Sequence, residues 1–471
     1  MGKSMTQREE MAFANRDDGN VQLKINQIHL SNQHFDVYAI SYTKSMLDSL
    51  KTTINQTASH PAVLATALLC SVKASFNETS GHPIILCVLF LLIFVHAYVV
   101  KSTFSSSKRD AHGKTFSKVY DAASLLSNPD SVLSRDGVED SIITYETLYA
   151  GARKENGRSS TNDSIRNRAK KYQTLVNSFY DLVTDFYVFG WGQSFHFAPR
   201  KVGETFNESI LRTEHYVALR THIEPTSRVL DVGCGVGGPM RNIQQLTGAD
   251  ITGVTINQYQ VRVGNKYCEQ KHISDRCRIY QGDFQDLPSQ FAAESFDAAY
   301  AIEATCHSPD RRTCFKGVNH CLKRGGRFVT IEWALLPAFD VSNPDHVRVK
   351  EGIEVGNGLP TLATVKDIVQ DLENAGFDVL DVFDTNRDMN SMFEIPWYQT
   401  LHGSFTLQGF RMTHLGRICT HALVALLELT RIAPKGSTRV SALLNATALD
   451  LVEAGKEGIF TPCLFILAQK K

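Results

Sequence analysis

The chain has no surplus of either charge. Its 471 residues include 49 Lys and Arg against 49 Asp and Glu, a formal net charge of zero. That excludes the basic field by which nucleic-acid-binding domains gather phosphates, and no nucleic acid is expected among its partners. Its ten cysteines contain no Cys-x-x-Cys pair, and no Cys/His spacing suits zinc, so no metal is expected. The scattered thiols read as reduced, which places them away from an oxidising compartment. The apolar run at 83–100 lies some eighty residues into the chain, so it is not expected to be a cleavable leader.

The first long apolar run comes later. Residues 1–80 are mostly polar, without strong periodicity, and have no assigned role; their opening "MGKSMT" fits a loose myristoylation pattern. "PIILCVLFLLIFVHAYVV", residues 83–100, then holds eighteen residues without a charge. At a rise of about 1.5 Å per residue this approaches the ~30 Å hydrocarbon core, so a transmembrane helix is expected. Lys101, Lys108, Arg109 and Lys114 follow it, whereas Lys73 alone precedes it closely. The imbalance expects a single pass with the downstream part in the cytosol. Residues 101–165 are rich in Ser, Lys, Arg and Asp and read as a tether with short helical pieces.

From about residue 166 the pattern changes to an alternation of buried strands and helices. "SRVLDVG" (227–233), "DITGVTI" (250–256), "CRIYQGD" (277–283), "FDAAYAIE" (296–303) and "GRFVTIEW" (326–333) read as strands. "FDVLDVFD" (377–384) and "IFTPCLFILAQ" (459–469) supply a sixth and a seventh. The fold class is therefore α/β, a Rossmann-like doubly wound sheet. The seventy-odd residues between the last two strands are too many for a loop and predict a helical subdomain, for example around 417–429.

"VLDVGCGVGGPM", residues 229–240, places an acid and a cluster of glycines at the end of the first strand. Glycines there let a ligand approach the backbone and let the chain turn sharply. Asp231 stands two residues before Gly233-Cys234-Gly235-Val236-Gly237, which resembles the S-adenosyl-L-methionine loop of class I methyltransferases. A nicotinamide cofactor would want an acid at the end of the second strand, yet "GVTINQYQ" offers Asn257 and Gln260. Asn257 suits ribose hydroxyls, Asp283 the adenine amine, and Phe284 the face of the ring.

"DFYVFGWGQSFHF", residues 185–197, is dense in aromatics in a chain that is only 9% aromatic. Its alternation with Gly190 and Gly192 suits neither a regular helix nor a strand. Together with Tyr180 it is expected to form a lid. Tyr187, Phe189, Trp191 and Phe197 offer π faces to a desolvated cation, an attraction worth ~2 kcal/mol or more.

At this point the motifs resemble a family. "TDFYVFGWGQSFHFAPR", "VLDVGCGVGGPMR", "YAIEATCHSPD", "EGIEVGNGLP" and "IFTPCLFILAQK", in this order, resemble the sterol 24-C-methyltransferases from about Lys170 to the C-terminus. The resemblance implies a methyltransferase core with its aromatic lid over 166–384 and a C-terminal sterol-methyltransferase subdomain over 385–471 that includes the last strand. It implies S-adenosyl-L-methionine as cofactor and a Δ24 sterol such as cycloartenol, lanosterol or zymosterol as substrate. With the apolar segment, it implies an endoplasmic reticulum membrane and leaves a homo-oligomer open. The family usually reads "FYEYGWG" where this chain has Val188 and Phe189, so one carboxylate is missing from the candidate bases.

The implied chemistry adds a methyl to C24, shifts a hydride from C24 to C25, and removes a proton from the new methyl group. An alkene needs no base to attack, but the final step needs a proton acceptor. Glu303, just past the fourth strand, is the favoured acceptor, with His307 or His196 assisting. Glu354 and Trp397 are expected to line the sterol cavity. A related methylation of another prenyl-type lipid and a sterol-binding protein without catalysis are the alternatives. The "IEATCHSPD" and C-terminal motifs speak against the first, and the intact glycine loop against the second.

Overall fold

The computed structural model describes residues 137–149, 162–386, 393–403, 412–431 and 433–471. The expected apolar span over 83–100, the polar region 1–80 and most of the tether lie outside them. Among the described residues no helix is long and apolar enough to cross a membrane.

In chain order the elements are α1 (Gly137–Leu148), α2 (Asn162–Lys170), α3 (Tyr172–Gly190), β1 (Arg200–Lys201), α4 (Phe206–Arg220), β2 (Arg228–Val232), α5 (Gly238–Thr247), β3 (Asp250–Thr255), α6 (Gln258–Gln270), β4 (Cys277–Gln281), α7 (Leu287–Gln290), β5 (Phe296–Ile302), α8 (Arg311–Cys321), β6 (Leu322–Leu335), α9 (Pro344–Asn357), β7 (Ala363–Thr364), α10 (Val365–Asn374), β8 (Phe377–Asp384), β9 (Glu394–Ile395), α11 (Gln399–His402), α12 (His414–Leu429), α13 (Ser437–Glu457) and β10 (Phe460–Lys470). The main sheet runs β4-β3-β2-β5-β6-β10-β8, with β7 paired to β6. β4 through β6 are parallel along that path, and β10 is antiparallel to both neighbours. The seven expected strands are all present. The sheet is mixed, and short β7 makes it eight-stranded.

Alternation along the strands builds two cores. Leu230, Ala299, Ala301, Leu464 and Ile466 face one layer, packed with Phe315, Val318, Ile368 and Leu372 of α8 and α10. Val229, Ala298, Tyr300, Phe465 and Leu467 face the other, packed with Val217, Met240, Ile243 and Cys268 of α4, α5 and α6. Period-two patterning in a sheet covered on both sides dictates this split.

Two expectations change. The tether ends before residue 165, because α1 buries Ile142, Tyr145 and Leu148 against Leu175, Phe179 and Val183 of α3. Its apolar residues are too few to stand out among polar neighbours, and a distant helix supplies their cover. The aromatic stretch also begins as helix. Leu175, Phe179, Leu182 and Val183 continue a helical stripe that carries α3 through residues 185–190. The helix then stops where the amides of Trp191 and Gly192 both turn back to the Tyr187 carbonyl, at 2.7 and 2.9 Å, with Gly192 at φ 128°.

Candidate active site

The glycine loop follows β2 at the carboxyl edge of the sheet. Gly233, Gly235 and Gly237 have φ of 77°, 56° and 72°, values that L side chains avoid. A Cβ on Gly233 would also meet the Ala304 Cβ at 2.5 Å. The bare backbone opens beside a cavity at the carboxyl edge of the sheet. Of the residues expected from sequence, Tyr180, His196, Asp231, Gly233, Cys234, Gly235, Gln260, Phe284, Glu303 and His307 all line it.

Others are placed elsewhere. Asn257 caps α6, its Oδ1 accepting from the Gln260 amide at 3.0 Å while its Nδ2 donates to Asp181 Oδ1 of α3 at 2.7 Å. Asp283 is taken by the Tyr172 hydroxyl and by Gln173 Nε2, the latter at 2.8 Å. Both corrections share a cause: α3 lies across the carboxyl ends of β3 and β4 and uses these side chains itself. Tyr187 stands edge-on behind Phe195, with centroids 5.4 Å apart, and Phe195 faces the cavity in its place. Trp191, Phe197 and Trp397 form an edge-to-face aromatic cluster with Trp333 and Phe460, off the cavity wall. Phe189 lies on α3, with its side chain outside the described residues. Glu354 is buried in an ion pair with Arg168 and Lys350 and receives the Leu362 amide, so it ties α9 to α2.

The charged lining has a definite arrangement. Glu303 has φ 51° and is 8% exposed. Its Oε1 accepts the Phe197 amide at 2.6 Å and its Oε2 the Trp333 indole at 2.7 Å. Burial pushes its carboxyl up to about 8, against the opposing pull of His196. Burial likewise raises Asp231 to about 8, against the opposing pull of the Tyr300 hydroxyl. His307 donates from Nδ1 to the Gly358 carbonyl at 3.3 Å and accepts the Tyr180 hydroxyl on Nε2 at 2.9 Å. Burial lowers it to about 4, so it is a neutral imidazole near pH 7.

The sequence reading passed over several contributors. Val176, Gln193, Phe195, Thr255, Ile256 and Ala304 also line the cavity. Thr255 donates to Gln260 Oε1 at 2.7 Å, which pairs two polar groups at the end of β3. Position at the carboxyl end of a strand was the signal available for Thr255.

This strand order, with a glycine loop after the first parallel strand, defines a class I methyltransferase. A family model described as "Methyltransferase domain" matches residues 230–330, and one described as "Sterol methyltransferase C-terminal" matches 407–471. The chain is 40% identical over 352 residues to cycloartenol-C-24-methyltransferase 1 of Oryza sativa subsp. japonica, covering 74% of this chain and 97% of that one. It is 43% identical over 349 residues to cycloartenol-C-24-methyltransferase of Arabidopsis thaliana, covering 74% and 99%. Sterol 24-C-methyltransferase ERG6 of Saccharomyces cerevisiae is 36% identical over 370 residues, covering 77% and 92%. Among solved structures, the cyclopropane synthase MmaA2 of Mycobacterium tuberculosis shares the fold, with a TM-score of 0.51 at 16% identity over 64% of this chain and 98% of that one. The chain belongs to the sterol 24-C-methyltransferase family. Its cofactor is S-adenosyl-L-methionine.

The lining fits that cofactor. The left-handed glycines leave room for a ligand against the backbone. Asp231 on the cavity wall suits an ammonium or a hydroxyl, and Phe284 suits a purine face.

Proposed function

We propose that this chain methylates C24 of a Δ24 sterol through a carbocation, with Glu303 as the acceptor of the departing proton. One observation carries the reading. The cavity sets the carboxyl groups of Asp231 and Glu303 among the rings of Tyr180, Phe195 and Phe284. Aromatic faces attract a desolvated cation, and a bound cation draws nearby carboxyl groups toward their ionised form. S-adenosyl-L-methionine, when bound, supplies an electrophilic methyl group on a positively charged sulfonium.

The chain's own residues do the rest. Tyr180, Phe195 and Phe284 present aromatic rings to the cavity, which favour a desolvated cation and do not readily trap it. They also help to exclude water, which would quench a carbocation. Glu303 is held by two N–H donors, so its position is fixed before the sterol arrives. Burial makes it a much stronger base than an ordinary carboxylate, while a cation held in the cavity draws it toward its ionised form. His307, lowered to about 4, is the weaker acceptor. Val188 stands where the family usually carries a carboxylate, which leaves Glu303 as the remaining carboxylate among the expected bases.

The relatives' names, cycloartenol and sterol 24-C-methyltransferases, support a plant-type or fungal-type Δ24 sterol as substrate. The uncharged run at 83–100 supports attachment to the endoplasmic reticulum membrane with the catalytic part in the cytosol. Membranes containing the full chain, given radiolabelled cofactor and a panel of cycloartenol, lanosterol and zymosterol, should release a 24-methylated product. Absence of transfer to every member of the panel sinks the reading. Protease treatment of sealed microsomes should degrade the C-terminal part; its protection reverses the topology.

A further inference from the structure

We propose that Glu214 is a positioning residue that holds His196 as a doubly protonated imidazolium opposite Glu303. The proposal deepens the reading above and rests on it for the role of Glu303.

The geometry begins at one peptide. The Phe197 amide donates to Glu303, and the Phe197 carbonyl lies 2.8 Å from His196 Nδ1. A carbonyl oxygen only accepts, so Nδ1 carries a hydrogen. His196 Nε2 lies 3.2 Å from Glu214 Oε1. Glu214, from α4, is fully buried, and its oxygens already take other donors. Ser194 Oγ reaches Oε1 at 2.7 Å, and Asn242 Nδ2 reaches Oε2 at 2.7 Å. With Ser194 and Asn242 donating to it, Glu214 serves as an acceptor, so Nε2 carries the second hydrogen.

The charges of three carboxyl groups act on this ring: Glu214 from α4, which touches it, Glu303 from the end of β5, and Asp231 from β2. Burial alone pulls the imidazole toward neutrality, but the hydrogen bond and charge of Glu214, with the charge of Glu303, outweigh it and leave His196 raised. His196 in turn draws Glu303 toward its charged form. Glu214 thus acts on the proton acceptor through His196, without touching the cavity. It also sets the loop: Ser194 and His196 both hang from it, and Phe195 lies between them on the wall.

The test uses the full chain in membranes. Because His196 is raised, the activity it supports is lost as pH rises through its bound-state pKa. Removing the Glu214 charge should bring that loss to lower pH. Glu214→Gln should move the alkaline limb of kcat down by about one pH unit or more. It should lower kcat at neutral pH by about tenfold or more, with the KM for S-adenosyl-L-methionine changed by less than about threefold. Asn242→Ala removes a donor that partly neutralises Glu214, and should move the limb the opposite way. If Glu214→Gln does not fold, Asn242→Ala decides alone. An unmoved limb in the folded variants, or a KM rising in step with the fall in kcat, overturns the proposal. Ring 15N signals of His196, identified by their loss in His196→Gln, report protonation without any substrate. They should show two protonated nitrogens for most of the parent at about pH 6.5 and one in Glu214→Gln; a singly protonated ring in the parent at that pH overturns the proposal even if sterol methylation itself fails.

Discussion

The Trp333 indole donates its N–H to Glu303 Oε2 across 2.7 Å, from the end of β6 to the end of β5. Trp333 packs in turn against Phe460 of β10 and near Phe197. A strained residue on the cavity wall is therefore anchored to the aromatic cluster behind it. The anchor explains how Glu303 keeps φ 51° without glycine's freedom.

Glu303→Gln keeps the shape and removes the acceptor. Its kcat should fall by about 10² or more, the usual scale for general-base removal, with cofactor binding little changed. Full activity removes Glu303 as the base. A thermal-shift series supplies a second check. The folded pKa of about 8 lies above the unfolded carboxyl value, so this residue's contribution to stability is present at low pH and lost as pH rises through 8. The Tm of Glu303→Gln relative to the parent should rise between pH 5 and pH 8.5.

His307 predicts the opposite sign. Its folded value of about 4 lies below the ordinary histidine value, so its stabilisation is present at neutral pH and lost as pH falls toward 4. The Tm advantage of the parent over His307→Gln should be wider at pH 7 than at pH 4.5. Tyr180→Phe removes the donor to Nε2 and leaves that buried nitrogen unpaired, at a cost of about 1–3 kcal/mol measured by denaturant unfolding.

Gly238 is the contact between the cofactor loop and the aromatic loop. A Cβ there would stand 2.2 Å from the Gln193 carbonyl oxygen, a backbone atom that no rotamer change removes. Gly238→Ala should push residues 191–199 away from α5. The expected result is a rise of about tenfold or more in the dissociation constant for S-adenosyl-L-methionine, read by titration calorimetry. Unchanged affinity would show that the two loops do not share the site.

Arg168 and Glu354 pair inside the protein, both essentially unexposed, with Nη2 to Oε2 at 3.7 Å. Arg168 also donates to the Pro360 carbonyl at 3.1 Å and to Ser164 Oγ at 2.8 Å. Arg168→Met leaves Lys350 beside the Glu354 carboxylate but takes the buried donor from the Pro360 carbonyl and from Ser164, and should destabilise the fold by about 1–3 kcal/mol, read from denaturant midpoints. If the variant loses under about 1 kcal/mol, the pair is not structural, and Glu354 returns to consideration as a cavity residue.

Much of this site is local in sequence. Asp231 through Gly237 declare a loop because the strand, the acid and the glycines are adjacent, and left-handed φ values require those glycines whatever surrounds them. Glu303 and His307 follow a strand end, and the edge where ligands bind in such sheets is set by topology. The seven strands were legible because burial on both faces imposes long apolar runs with short breaks.

The tertiary structure decided the remainder. Asn257, Asp283 and Glu354 are polar residues near the right strand ends or motifs, yet each is consumed by a partner distant in sequence: Asp181, Gln173 and Arg168. Hydrogen bonds between groups so far apart in the chain leave no periodicity to read. The aromatic stretch divides for the same reason. Composition marks it as π-rich, but only packing turns Phe195 toward the cavity and sends Trp191 and Phe197 into the core. Sequence alone determined the loop, the sheet and the family, because these depend on residue type and short spacing. Which side chains are left free to face a ligand depends on what the rest of the fold has already bound.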